Sequence, residues 1–180
     1  MSGTSDAGIL KFKTMKNLII AIAVALLPFI ATAQIKEVNL QASGLTCSMC
    51  SNAIYKSLSA IAFVKEVDSD VETSTFRITF KEGQDIDIDA LQKAVVKAGF
   101  SVSQMVLTTN FSGVKINEDS FATIDGHKFY FVGLKEKTLN GEVDLKILDK
   151  DFITTKEYKK VKDKLKAPQA ARAYNVALAG

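Results

Sequence analysis

Between Ile35 and Leu107 the spacing of apolar residues switches from two to nearly four and back, twice, and few folds accommodate that order. In residues 35–42, Val38, Leu40 and Ala42 alternate with Glu37, Asn39 and Gln41, the period of a half-buried strand. Ser43 and Gly44 turn the chain. From about Ser48 onward Ile54, Leu58 and Ile61 share one helical stripe. Residues 63–71 read as a second strand, and residues 75–80 as a third in which Phe76, Ile78 and Phe80 alternate with Arg77 and Thr79; the pair forms a hairpin. Asp85 or Asp87 can cap a second helix, along which Ile88, Leu91, Val95 and Ala98 keep helical spacing until Gly99 stops it. Residues 100–107 close as a last strand. The order is β-α-β-β-α-β, an α+β arrangement whose two helices can lie on one face of a four-stranded antiparallel sheet.

Both cysteines of the 180-residue chain fall in one short stretch, GLTCSMC from Gly44 to Cys50, where the first strand hands over to the first helix. Two thiolates separated by two residues, Cys47 on a loop and Cys50 in the first helical turn, can point at a single ion with little backbone strain. Unpaired N–H groups and the positive dipole end near Ser48–Ser51 favour thiolate over thiol. Soft sulfur selects soft metal: Cu(I) first, with Hg(II) and Ag(I) close behind, all satisfied by two ligands. Zn(II) wants four ligands and is the lesser candidate. Met49 is expected to pack or face solvent rather than ligate. His127, in the stretch DGHKF, is expected to be an exposed turn residue.

The chain also carries an export signature. Lys11, Lys13 and Lys16 precede a charge-free run from Leu18 to Ala33, and the unbroken apolar part, Leu18–Leu27, is well short of the roughly 20 residues a membrane-spanning helix needs. Pro28 follows, then small residues at Ala31 and Ala33, so cleavage is expected before Gln34, with a periplasmic or secreted product and no stable membrane span left. Because MKNLII at Met15 already reads as a complete signal start, translation can begin at Met1 or Met15. After cleavage 20 basic and 19 acidic residues remain, a balance that gives no support to nucleic-acid binding. Exported thiols tend to oxidise unless paired, buried or metal-bound, so a disulfide or a redox pair is the rival reading. No Trp precedes Cys47, and the only prolines are Pro28 and Pro168, which leaves no candidate for the cis-proline that faces the redox pair in thioredoxin-like enzymes.

The stretch GLTCSMC resembles the G-M-T-C-x-x-C loop of the heavy-metal-associated domain, the ferredoxin-like module of copper chaperones, metal-transporting ATPases and periplasmic mercury-binding proteins. FVKEVDSDVETSTFRITF is similar to that family's central hairpin, and LQKAVVKAGFSV to its second helix with the A-G-F ending. Leu45 stands where the family usually has Met, a swap of similar volume, and Phe63 where Gly is common. Thr46, rather than an acid, precedes Cys47, which sets the chain apart from zinc-type members. The resemblance implies Cys47 and Cys50 as metal ligands, Phe100 beside the metal loop, and a donor or acceptor protein with exposed thiol or thioether ligands. It implies metal carriage and no enzymatic turnover. An interaction module with a vestigial metal loop is a further alternative.

Residues 109–180 carry no chemical motif. Several β-rich runs are punctuated by NED, DGH and LNGE, with Phe129 and Phe131 alternating against Tyr130 and Val132. A short lysine-rich helix follows, capped at Thr154 or Thr155, and residues 167–180 read as a loose tail. The expected organisation is a leader and signal peptide (1–33), a heavy-metal-associated domain (34–108), a small β-rich C-terminal module with a short helix (109–166) and a tail (167–180).

Overall fold

A computed structural model describes residues 33–45, 48–117, 121–166 and 172–179. The leader up to Thr32, and Cys47 with Thr46, lie outside the described residues. Residues Ala31–Gly180 form one compact unit.

The first half follows the expected order: β1 (Ala33–Ser43), α1 (Ser48–Ser59), β2 (Val64–Asp70), β3 (Thr75–Phe80), α2 (Ile88–Lys97) and β4 (Ser101–Ile116). Its strands lie in the order β2-β3-β1-β4, all antiparallel. The apolar positions read from the sequence form the core: Val38, Leu40, Ile54, Leu58, Phe76, Ile78, Ile88, Leu91 and Val95 are fully buried. Near the start of β1 the register with β4 shifts between Ile35 and Glu37. That bulge puts Ile35 and Val38 on the same inner face although they are three residues apart. Asp87 is the cap of α2, its side chain accepting from the Ala90 backbone N–H at 3.1 Å. The same helix ends on Gly99, whose φ of +92° suits a residue without Cβ. There the Phe100 N–H donates to the Val95 carbonyl at 3.1 Å and the Gly99 N–H to the Val96 carbonyl at 2.9 Å, the paired bonds of a Schellman stop.

The second half comprises β5 (Phe121–Ile124), β6 (His127–Phe131), β7 (Lys137–Ile147), α3 (Thr155–Val161), a 3-10 turn (Lys162–Lys164) and β8 (Ala173–Leu178). Thr154 caps α3, its hydroxyl accepting from the Glu157 N–H at 3.2 Å. These strands continue the first sheet, giving one eight-stranded sheet in the order β2-β3-β1-β4-β7-β8-β6-β5. β4 runs straight through the expected boundary at residue 108, pairing with β1 on one side and β7 on the other. The sheet curls until β5 comes against β1 and β4, where the Asp125 carboxylate accepts the Ile35 N–H at 2.8 Å. One continuous apolar core joins Ile35 to Val176.

Three expectations for the second half need correction. Residues 173–178 are not part of a loose tail: β8 is an inner strand between β7 and β6, with Tyr174, Asn175 and Val176 all buried. A strand covered on both faces has no alternation to read, and its buried Asn175 is held by Asp149, which accepts from both the Asn175 N–H and its Nδ2 at 2.7 Å. LNGE does not end a strand. Asn140 and Gly141 lie inside β7, opposite a bulge at Ser112 and Gly113, and the Gly113 N–H donates to Asn140 Oδ1 at 2.6 Å. Finally, His127 is fully buried rather than exposed. Asp125 and Gly126, with φ of +46° and +77°, make the two-residue turn, so His127 already belongs to β6. Its Nε2 sits 2.7 Å from the Ile86 carbonyl, and its ring clusters with those of Phe129 and Tyr174, which stack on each other.

Candidate metal-binding loop

The loop between β1 and α1 is positioned by the two strands at the centre of the first half. Ser43 ends β1 directly opposite Ser101, the first residue of β4, and their hydroxyl oxygens are 2.8 Å apart. Gly44 follows with φ +88°, a left-handed conformation that redirects the chain towards the helix. A Cβ placed on Gly44 would meet the Phe100 ring at 3.9 Å, so Phe100 lies beside the start of the loop, as the family resemblance implied. Leu45, half-buried, packs against the core in the position where its volume was expected to be tolerated.

α1 begins at Ser48, and Cys50 is its third residue. Cys50 is half-buried at this end of the domain, and the next residue, Ser51, is buried. First-turn N–H groups of a helix have no partner within the helix, and they make its start electropositive. No acidic side chain stands in the first turn of α1 to offset that field. Met49 is 81% exposed and points away from the core, as one of its two expected roles requires. Cys47, the other expected ligand, lies outside the described residues. His127 is at a different part of the molecule, against Ile86 ahead of α2, whereas Phe100 and the loop flank the opposite end of that helix. Among the described residues no group of three or more His, Cys, Asp and Glu is arranged to hold a metal ion, and no helix is long and apolar enough to cross a membrane.

The geometry adds features that the sequence reading did not name. The Ser43–Ser101 pair ties the base of the loop to β4, and Ser57 Oγ donates to the Ala94 carbonyl at 2.8 Å, fixing α1 against α2. Both rest on strand register and helix crossing, which spacing in the chain does not encode.

Comparison with known proteins places this region. The heavy-metal-associated domain matches residues 39–101, from β1 to the first residue of β4. The periplasmic component of the mercuric transport protein of Pseudomonas fluorescens is 33% identical over 89 residues, 49% of this chain and 97% of that protein. Its counterpart from Pseudomonas aeruginosa is 32% identical over the same shares. Among solved structures, oxidized MerP from Ralstonia metallidurans CH34 is 32% identical, covering 38% of this chain and 93% of that one, with a TM-score of 0.35. The matched span contains the cysteine loop, both helices and the hairpin, and the chain covers nearly the whole of these relatives, so it belongs to the heavy-metal-associated domain family.

Proposed function

We propose that this protein binds a soft heavy-metal ion between the thiolates of Cys47 and Cys50 and hands it to a partner protein outside the cytosol. The observation that carries the reading is the seat of Cys50: third residue of α1, at an electropositive helix start, directly after a glycine-turned loop at the end of the sheet. A Cys three positions earlier, Cys47, completes a chelating pair. Cu(I) is the first cargo, because two thiolates satisfy it and an ion with two ligands can accept a third from an incoming thiol before leaving. A second reading, Hg(II), is favoured by the names of the mercuric transport relatives, and their description as periplasmic components supports export. Ag(I) fits the same pair; Zn(II) would need further ligands from a partner. The protein acts as a carrier and not as an enzyme, its acceptor offering exposed thiols or thioethers.

The test is anaerobic binding of Cu(I), Hg(II) and Zn(II) to the reduced protein. One Cu(I) or Hg(II) per chain is expected, with far weaker Zn(II). Cys50→Ser and Cys47→Ser should each remove tight binding, since one thiolate and a neutral hydroxyl make a poor soft-metal site. Unchanged binding by the double serine variant would place the metal elsewhere. A reduced protein that binds no metal yet oxidises dithiols catalytically would establish the redox alternative instead.

A further inference from the structure

We propose that the lysine-rich face formed by α3 and the turn after it docks on an anionic phospholipid surface. The starting observation is that no residue of α3 is fully buried: Glu157, Tyr158 and Val161 are half-buried and the others are exposed. A seven-residue helix with no fully buried residue adds little to the core. What it displays is charge. Between Lys156 and Lys166 the chain carries Lys156, Lys159, Lys160, Lys162, Lys164 and Lys166, all exposed, against Glu157 and Asp163. Glu157 is already engaged by Lys146 at 2.6 Å, so it does little to neutralise the others.

The patch borders a partly apolar cavity. Lys164 and Lys166 join Lys135 around a cavity of about 370 Å³ whose other walls include Phe131, Val132 and Leu134. Lysines and apolar side chains around one cavity suit a phospholipid, with phosphate near the ammonium groups and the upper chain region against the apolar walls. The choice of cation points the same way. Every basic residue from 156 to 166 is Lys, with no Arg. Lysine is a compact point charge without the planar fork that reads a carboxylate or phosphate in fixed geometry, so it suits a diffuse field of headgroups better than a shaped acidic protein site. At the far edge of the sheet β2 carries Glu66, Asp68 and Asp70 against Lys65, so a net negative strand stands apart from the lysine face and favours an orientation with α3 towards a negative surface.

The experiment is flotation of the chain from Ala31 onward, which is the compact unit, with vesicles of phosphatidylcholine alone or mixed with phosphatidylglycerol. Binding is expected only to the mixed vesicles, and it should fall away when salt is raised from about 50 mM to about 500 mM, as screening shortens the reach of exposed charges. The variant Lys159→Gln/Lys160→Gln/Lys162→Gln/Lys164→Gln should bind at least tenfold more weakly with an unchanged circular dichroism spectrum, because none of those side chains is buried. Equal binding by parent and variant, or none to the mixed vesicles, overturns the proposal. Tighter binding to an oligonucleotide than to the vesicles overturns it in favour of nucleic acid. The outcome is independent of the metal reading: the lysine variant should keep its Cu(I), and Cys47→Ser/Cys50→Ser should keep its vesicle binding.

Discussion

Phe100 and Gly44 come from segments more than fifty positions apart in the chain and meet because Ser43 pairs with Ser101. Phe100→Ala would open one wall of the cysteine loop while removing a half-buried ring, for a stability loss of about 2 kcal/mol, roughly half that of a fully buried Phe. Faster transfer of bound metal to a competing thiol, with the fold retained, is the expected result; unchanged exchange would mean the ring does not shield the site. His127 offers a sharper contrast between sequence and structure. An exposed turn residue would tolerate His127→Ala within about 0.5 kcal/mol, whereas a buried ring bonded to the Ile86 carbonyl should lose about 2–4 kcal/mol in thermal or urea unfolding. The burial was invisible because the DG turn is complete in two residues, and one position decides whether the next side chain faces in or out. Tyr174 gives a pH signature. Its hydroxyl donates to Asp89 Oδ1 at 3.1 Å, and burial, reinforced by that carboxylate, pushes its ionisation well above the ordinary value of 10.0. A group raised in this way stabilises the fold fully below its unfolded value, and that stability is lost as pH climbs beyond it. Unfolding free energy should therefore decline above pH 10.0, and Tyr174→Phe should flatten that decline while costing about 1–2 kcal/mol at neutral pH.

Elements of the first half were legible because each is amphipathic on its own. The β1 alternation, the α2 stripe with Asp87 and Gly99 at its ends, and the β2–β3 hairpin all declare one buried face in local sequence. β8 and the inner part of β7 do not: one is buried on both faces and the other carries a glycine kink matched to a bulge on its neighbour. Their assignment depends on partners far away in the chain. The β5–β6 turn is short, and it carries two ties to the first half. Asp125 receives the Ile35 N–H, and a Cβ on Gly126 would sit 3.4 Å from Arg172, the residue that pairs with Asp85. Gly126→Ala forces a side chain into a left-handed conformation, at roughly 1–2 kcal/mol. A lowered melting temperature is expected, together with faster hydrogen exchange at the Ile35 amide; an unaltered amide would show that the turn and its carboxylate are independent.

At the scale of the whole molecule the two halves share a strand and a core, so they should unfold together. Denaturation followed at α1 and at β8 is expected to give coincident transitions. Removing residues 173–180 would strip an inner strand from between β6 and β7, expose Phe129 and Ile147, and destabilise the first half as well as the second. A first half that kept its parent midpoint would show that the sheet is continuous in geometry but divided in energy. The shared strand has one more consequence. β4 is sixteen residues long, a stiff spar of roughly 50 Å when extended. One end, paired with β1, stands beside the cysteine loop; the middle pairs with both β1 and β7, and the far end with β7, without a linker. A bead on a flexible tether samples every angle to its support; here Ser43 and Ser101, the strand residues at the base of the loop, belong to the same sheet as the far half, so whatever grips that half also sets the side from which a partner must approach.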